Sequence, residues 1–318
     1  MIESGESFVL TSHVKVDGDA LGSMLALRTV LTRMGKRVRM THVESVPEIY
    51  RFLPGTDAVC PPDAVPEDEQ YDVGIILDSG ALSRVGAAAD VVKRARTLIN
   101  IDHHQEWQDF GAVNVIDLEA SAVGETLYWL FEWAGVTLDA QIAVSLYTSI
   151  VTDTGGFRYT STTPRTHQIA AALLDCGVDP GEVSQHLYDN RPRAALRLLG
   201  LALGTIDQTC DGQVTWMSVD GDMLRASGAS PEHLEGFVNY PRSVSGTKIA
   251  ILFAETEPGK TKASIRSNVR VNVSQLAAQF GGGGHYRAAG CMIEASLADA
   301  REQILAACRG LLGCENDD

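Results

Sequence analysis

The chain has 318 residues, 45% hydrophobic and 21% charged, with a net charge of −15; this suits a soluble globular protein with two domains, each with its own core. The acidic balance excludes a long nucleic-acid duplex laid over a broad basic face, while a recessed site with metal ions and a few arginines can still take a small phosphorylated ligand. Six scattered cysteines (60, 176, 210, 291, 308 and 314), with no CxxC pair, read as reduced structural thiols in a cytoplasmic protein. The opening stretch does not read as a signal peptide, and no apolar run approaches the roughly 20 residues of a membrane span.

In chain order, Phe8 to Ser12 reads as a first strand ending at His13, with a loop over 13–19. From Ala20 the spacing of Leu21, Met24, Leu25, Val30 and Leu31 is helical, and Gly35 stands at the C-cap. Arg37 to Val43 is a second strand, and Val73 to Leu77 a third that ends at Asp78. A proline-rich acidic loop separates those two. Ala95 to Ile101 is a buried strand ending at Asp102, flanked by helices over 87–94 and 122–134. Gln141 to Ile150 is an apolar helix running into Asp153. Alternating strands and helices predict a mainly parallel sheet covered by helices on both faces. No predicted strand is followed by Gly-x-Gly-x-x-Gly, which argues against a dinucleotide-binding fold.

A helical zone with Pro180 and Pro192 runs to about Gly204. Beyond Gln213 the reading is a smaller α+β domain across a cleft from the first. Its strands are 214–219, 247–254, 262–266 and 289–294, and its helices 273–280 and 297–312. The predicted boundaries are 1–190 for the first domain, 191–210 for a connecting helix or linker, and 211–318 for the second domain.

His13, Asp17, Asp19, Asp78, Asp102, His103, His104 and Asp153 all fall at predicted element ends. Taken singly, Asp17, Asp19 and Asp153 read better as turn residues or caps. Together they read as one site. Four ionised carboxylates in a half-buried cleft repel one another unless cations intervene, and two divalent ions balance Asp17, Asp19, Asp78 and Asp153. The mixed imidazole and carboxylate set suits Mn²⁺ first, then Mg²⁺ or Co²⁺. His42, His167, His186 and His233 lack such neighbours and read as surface or packing residues.

These residues resemble the DHH phosphoesterase superfamily. His13-x-x-x-Asp17-x-Asp19-Ala-Leu-Gly22-Ser23 matches its first motif, Asp78 its second, Asp102-His103-His104 its third and Asp153 its fourth. Val16 stands where the family usually has proline. The second half is similar to the DHH-associated domain through Arg266-Ser267 and Gly281-Gly-Gly-Gly-His285-x-x-Ala-Ala289-Gly290. The resemblance implies one metal on His13, Asp17 and Asp78, and a second on Asp19, Asp78, His103 and Asp153. Asp102 would orient a histidine, and His104 would lie beside the substrate phosphate.

In the second domain, Gly282, Gly283 and Gly284 read as an anion cradle, with Ser267 beside them and Arg266 and His285 adding donors. Arg158, five residues past Asp153, reads equally as a cleft residue or a surface one, while Phe157 and Tyr159 read as core aromatics. Size and domain content are most like the nano-RNase/pAp-phosphatase branch. The expected activity is therefore two-metal hydrolysis of short oligonucleotides, about 2–5 nucleotides long for want of a basic track, including pApA, together with conversion of pAp to AMP and phosphate. Expected partners are single-stranded short substrates, no long duplex and no membrane. Homodimers are common in the family, although no stretch of this chain marks an interface. The alternatives are a cyclic-dinucleotide phosphodiesterase, a pyrophosphate or polyphosphate hydrolase, and a non-catalytic nucleotide sensor.

Overall fold

Phe8 and Leu10 pack into one apolar core and Val9 into another; Ile75 and Leu77 repeat this against Ile76. Such alternation between two cores marks strands buried on both faces. The computed structural model describes residues 1–268 and 271–314, without the side chain of His285, and divides the chain after Asn190.

In the first unit, β1 (Ser7–Ser12), β2 (Arg37–Thr41), β3 (Val59–Cys60), β4 (Tyr71–Leu77), β5 (Ala95–Asp102) and β6 (Val113–Ile116) form one sheet in the order β3-β2-β1-β4-β5-β6. Every pairing in it is parallel. The chain runs outward from β1 to β3, then returns to lay β4 on the other side of β1. The crevice at that reversal, beyond the carboxyl ends of β1 and β4, is where open parallel sheets bind ligands. His13 follows β1 and Asp78 follows β4.

The helices of this unit are α1 (Gly18–Arg33), α2 (Ala88–Val92), α3 (Val123–Trp133), α4 (Ala140–Asp153), α5 (Pro164–Asp175) and α6 (Pro180–Tyr188). Leu21, Leu25 and Leu31 of α1, Leu127 of α3 and Leu146 of α4 share the core under one face of the sheet. Ala88, Val91 and Val92 of α2 cover the other face. A Cβ on Gly18 would lie 2.4 Å from Thr152, and one on Gly22 2.4 Å from the Ser145 carbonyl. Bare backbone at these two positions lets α1 and α4 approach closely. The first helix begins two residues before the expected Ala20, because Asp17 caps it by accepting from Ala20 N. The short edge strands β3 and β6 were not anticipated.

The second unit carries α7 (Arg193–Leu203), β7 (Asp207–Thr209), β8 (Val214–Val219), α8 (Gly221–Ser227), α9 (Asn239–Arg242), β9 (Ile249–Glu257), β10 (Lys260–Ser267), α10 (Val273–Ala278), β11 (Gly283–His285), β12 (Ala288–Ile293) and α11 (Leu297–Leu312). Its sheet, in the order β11-β12-β10-β9-β8-β7, is antiparallel except between β8 and β9. Leu276 of α10 and Ile304 of α11 pack on one face of it, and Leu198 and Leu199 of α7 on the other. The helix expected as a connector is thus part of the second unit's own core.

Cys210 and Cys314 are joined by a disulfide, with Cα atoms 5.5 Å apart, which corrects the expectation that all six thiols are reduced. Cys60, Cys176, Cys291 and Cys308 are free. Among the described residues no helix is long and apolar enough to cross a membrane.

Candidate metal centre

Asp78 occupies the turn after β4 with φ at +55°, a left-handed conformation that aspartate tolerates better than most side chains. Its two carboxylate oxygens face different partners. Oδ2 lies 3.1 Å from His13 Nε2, which is itself 3.7 Å from Asp17 Oδ2. Oδ1 lies 3.5 Å from His103 Nε2, which is 3.6 Å from Asp19 Oδ2 and 3.5 Å from Asp153 Oδ2. The six side chains expected from the sequence therefore converge as two groups sharing one carboxylate.

Each ligand-type side chain is held from behind. His13 Nδ1 donates to the Val14 carbonyl at 2.7 Å, and His103 Nδ1 to the Ala120 carbonyl at 3.1 Å. A carbonyl only accepts, so both rings carry their proton on Nδ1 and turn Nε2 towards the carboxylates. His42 Nε2 donates to the His13 carbonyl at 2.9 Å. His167 stacks on Phe157 and His186 on Phe52, while His233 accepts from Ser230 N. His167 and His186 thus pack as expected, whereas buried His42 braces the backbone of His13, a role not anticipated for it.

Asp19 accepts from Ser149 Oγ at 2.6 Å, Ser23 Oγ at 3.1 Å and Val123 N at 2.8 Å. Asp17 caps α1 through Oδ1 and offers Oδ2 to His13, so the cap and ligand readings hold together. Asp153 is the last residue of α4, where the helix dipole disfavours a negative charge. Val16 packs in the core beside this loop, a packing anchor where the family's proline would supply stiffness.

Asp19, Asp78 and Asp102 are only 1%, 3% and 0% exposed, so their charges need compensation from within the site. Burial opposes ionisation of Asp78, but the His103 and His13 imidazoles outweigh it and hold this carboxyl well below the usual range. Burial and the neighbouring Asp78 push Asp19 well above it. For Asp153, burial together with the charges of Asp78 and Asp17, opposed by His103, raises the pKa to about 7. Burial lowers His13, but its hydrogen bond and charge interaction with Asp78, with Asp17 added, carry it up to about 9. His103 is raised well above its ordinary value, burial being outweighed by Asp78, Asp19 and Asp153.

The donor set fits divalent ions. Oδ1 of Asp78 and Oδ2 of Asp102 are buried without hydrogen-bond partners. The groups His13–Asp17–Asp78, Asp19–His103–Asp153 and Asp78–His103–His104 each place three ligand atoms within 4.8 Å of one another. Ions that bind there must displace the protons on His13 and Asp153. Adding Mn²⁺ to metal-free protein at pH 7 to 8 is therefore expected to release protons. Apparent affinity should climb as pH rises from about 7 to about 9, where those two groups deprotonate unaided. Calorimetric titration in buffers of different ionisation heat measures this, and binding without proton release would contradict it.

His104 is set differently from His13 and His103. Its Nδ1 lies 2.6 Å from Asp102 Oδ1, and its Nε2 is 3.1 Å from a guanidinium nitrogen of Arg84. Arg84 was not singled out from the sequence; its signal is its place on the same post-strand loop as Asp78. A second unanticipated group braces the segment before α3. Buried Glu125 accepts from Ser121 Oγ and pairs with Arg165 Nε at 3.2 Å, and Arg165 also donates to Asp117. An acid in the first turn of a mainly apolar helix was the available signal. This segment supplies both the Ala120 carbonyl behind His103 and the Val123 N–H on Asp19. Arg165→Ala should cost about 3 kcal/mol by stranding a buried carboxylate and weaken metal binding by about tenfold or more. Thermal unfolding and Mn²⁺ titration check the two effects; unchanged metal affinity would reduce the network to a fold support.

Of the expected substrate residues, Arg158 belongs to the first unit and the others to the second. Arg158, on the turn after α4, donates through Nε to the Gly155 carbonyl at 2.6 Å. Phe157 packs against the first core, as expected. Arg266, on β10, donates to its neighbour's carbonyl, Ile265 O, at 3.1 Å, and Ser267 N donates to Arg287 O. The glycine run needs correction as a uniform cradle. Gly281 N and Gly282 N donate back to Ala278 and Ala277, closing the end of α10. Gly283 and Gly284 belong to β11, and a Cβ on Gly284 would lie 2.5 Å from the Ala288 carbonyl. Hairpin packing therefore accounts for Gly284, helix capping for Gly281 and Gly282, and open space remains at Gly283. The side chain of His285 lies outside the described part of the structure.

Residues 7–150 match the N-terminal domain of the DHH family, and residues 213–313 match the DHHA1 domain. The bifunctional oligoribonuclease and PAP phosphatase NrnA of Thermus thermophilus is 34% identical over 302 residues, covering 94% of this chain and 88% of that one. The chain belongs to the DHH family of phosphoesterases. Its relatives in this family include the Bacillus subtilis NrnA, 25% identical over 95% of this chain and 93% of that protein. A crystal structure of an exopolyphosphatase-related protein from Bacteroides fragilis superposes on the DHH chain with a TM-score of 0.92 at 29% identity. It covers 98% of this chain and 95% of that one.

Proposed function

We propose that this DHH phosphoesterase hydrolyses short oligonucleotides to mononucleotides, and pAp to AMP and phosphate, using two divalent ions, Mn²⁺ foremost. The observation that carries this reading is the division of Asp78 between two ligand groups, one oxygen to each. One ion would rest on His13, Asp17 and Asp78, the other on Asp19, Asp78, His103 and Asp153. Bound divalent ions supply a nucleophile at neutral pH and neutralise phosphoryl charge. The chain's own part is positional. The carbonyls of Val14 and Ala120 aim two imidazoles, and the hydroxyls of Ser149 and Ser23 fix Asp19. His104, oriented by Asp102, would lie beside the substrate phosphate.

The relatives named above as oligoribonucleases and PAP phosphatases support the substrate class, and the acidic balance of the chain supports a preference for short strands. In this reading Arg266, Ser267, Gly283, His285 and Arg158 bind substrate phosphate. The test is a panel of pAp, pApA, longer oligomers, cyclic di-AMP, pyrophosphate and polyphosphate, incubated with purified protein and Mn²⁺. Fastest turnover of pApA and pAp is the expected result. Faster turnover of pyrophosphate, polyphosphate or the cyclic dinucleotide would replace the proposed substrate class.

A further inference from the structure

Arg84 lies in a short 3₁₀ turn, Leu82–Val85, on the loop that Asp78 begins. Its carbonyl accepts from Val14 N at 2.7 Å, which ties the turn to the residue following His13. Its guanidinium is half-buried and reaches His104 Nε2 at 3.1 Å. A guanidinium has donors and no acceptor, so Nε2 must present its lone pair and the His104 proton sits on Nδ1, against Asp102. The chain Asp102–His104–Arg84 therefore has one direction. It ends in a cation.

That cation is unusually placed. With Asp17, Asp78 and Asp102 in the same site, Arg84 makes no ion pair among the described residues, and its side-chain partner is an uncharged ring nitrogen. His104 Nδ1 is 3.5 Å from Asp78 Oδ1, so the guanidinium stands one imidazole ring away from the shared carboxylate. A half-buried guanidinium partnered by a neutral acceptor keeps its charge and most of its fork of donors for an anion, and phosphoryl oxygens match that fork.

We propose that Arg84 is a substrate ligand that binds a non-bridging oxygen of the phosphoryl group at the metal centre. In taking that oxygen it gives up His104 Nε2, which frees the ring nitrogen to face the substrate. No covalent bond changes in this exchange; one hydrogen bond to an imidazole is replaced by one to a phosphoryl oxygen. The inference rests on the phosphoesterase reading for the identity of its ligand.

Three variants, Arg84→Ala, Arg84→Lys and Asp78→Asn, would be compared with wild type. The measurements are dinucleotide kinetics, Mg²⁺ stoichiometry, AMP binding to the Mg²⁺-loaded protein, and the ¹⁵N shifts of His104. Arg84→Ala is expected to raise KM and weaken AMP binding by about 10- to 100-fold with metal stoichiometry intact, and Arg84→Lys to recover part of the loss. In wild type, AMP should move the His104 Nε2 resonance and leave the proton on Nδ1. Unchanged KM and AMP affinity in Arg84→Ala, or an Nε2 resonance indifferent to AMP, would overturn the proposal. Should an alanine variant fold poorly, the lysine variant and the wild-type resonance decide it. Wild-type protein that hydrolyses no phosphoester would sink the functional reading instead, while AMP binding and the resonance still report on Arg84.

Discussion

Asp78→Asn should abolish turnover. Asparagine keeps the volume of the side chain and tolerates the left-handed turn at φ +55°, so the exchange separates ligation from folding. What it removes is the second carboxylate oxygen, and with it the capacity to serve His13 on one side and His103 on the other. An amide offers one oxygen and, on the opposite side, a nitrogen that repels a cation. We expect kcat/KM to fall by about a thousandfold or more, on the order of 4 kcal/mol of lost transition-state stabilisation. Bound divalent ions should fall from two per chain to one or fewer. Hydrolysis with saturating Mn²⁺ and metal titration give the answer, and near-normal turnover would dissolve the two-metal assignment.

Gly22→Ala should damage the same centre from outside it. The added Cβ would come within 2.4 Å of the Ser145 carbonyl and 3.1 Å of Ser149 N, both backbone atoms of α4 that no rotamer change can clear. The two helices must then move apart. Such overpacking costs about 1–3 kcal/mol, but the functional cost should be larger. Asp19 rides on α1, while Asp153 and the Ser149 hydroxyl that fixes Asp19 ride on α4. A shift of even half an ångström would loosen the second ligand group, and about a 100-fold loss of activity is expected. The signature is a protein that remains folded by circular dichroism, melts lower and needs much more Mn²⁺ for half-maximal rate. Wild-type metal dependence in a folded Gly22→Ala protein would show that the helix contact does not set the site.

Much of this site is legible in the sequence because parallel strands end abruptly. A run such as Ile99–Asn100–Ile101 that gives way to Asp-His-His announces both a buried strand and a polar rim. The start of α1 was less legible, since Gly18 and Asp19 break the apolar spacing although both are buried, the aspartate being held by hydroxyls of α1 and α4. Edge strands of two to four residues, β3, β6 and β7, are too short to carry a period. Arg84, Glu125 and Arg165 act through partners 20, 40 and 40 positions away, beyond what local spacing can express. The glycine run was visible as a special backbone, yet the helix cap and the hairpin that consume most of it depend on α10 and β12 being in place. The bond between Cys210 and Cys314 spans 104 positions and leaves no local mark.

The side chains of the centre are drawn from positions 13, 17, 19, 78, 103 and 153, so its last component is also the final residue of a helix that closes over the first. No stretch of chain that stops short of Asp153 contains both ligand groups. During synthesis, a nascent chain emerging from the ribosome could assemble the His13–Asp17–Asp78 half early and would acquire the other half only when α4 docks. Capture of a second ion would then mark the moment at which α4 has docked on α1, making metal uptake a reporter of maturation as well as a condition of activity.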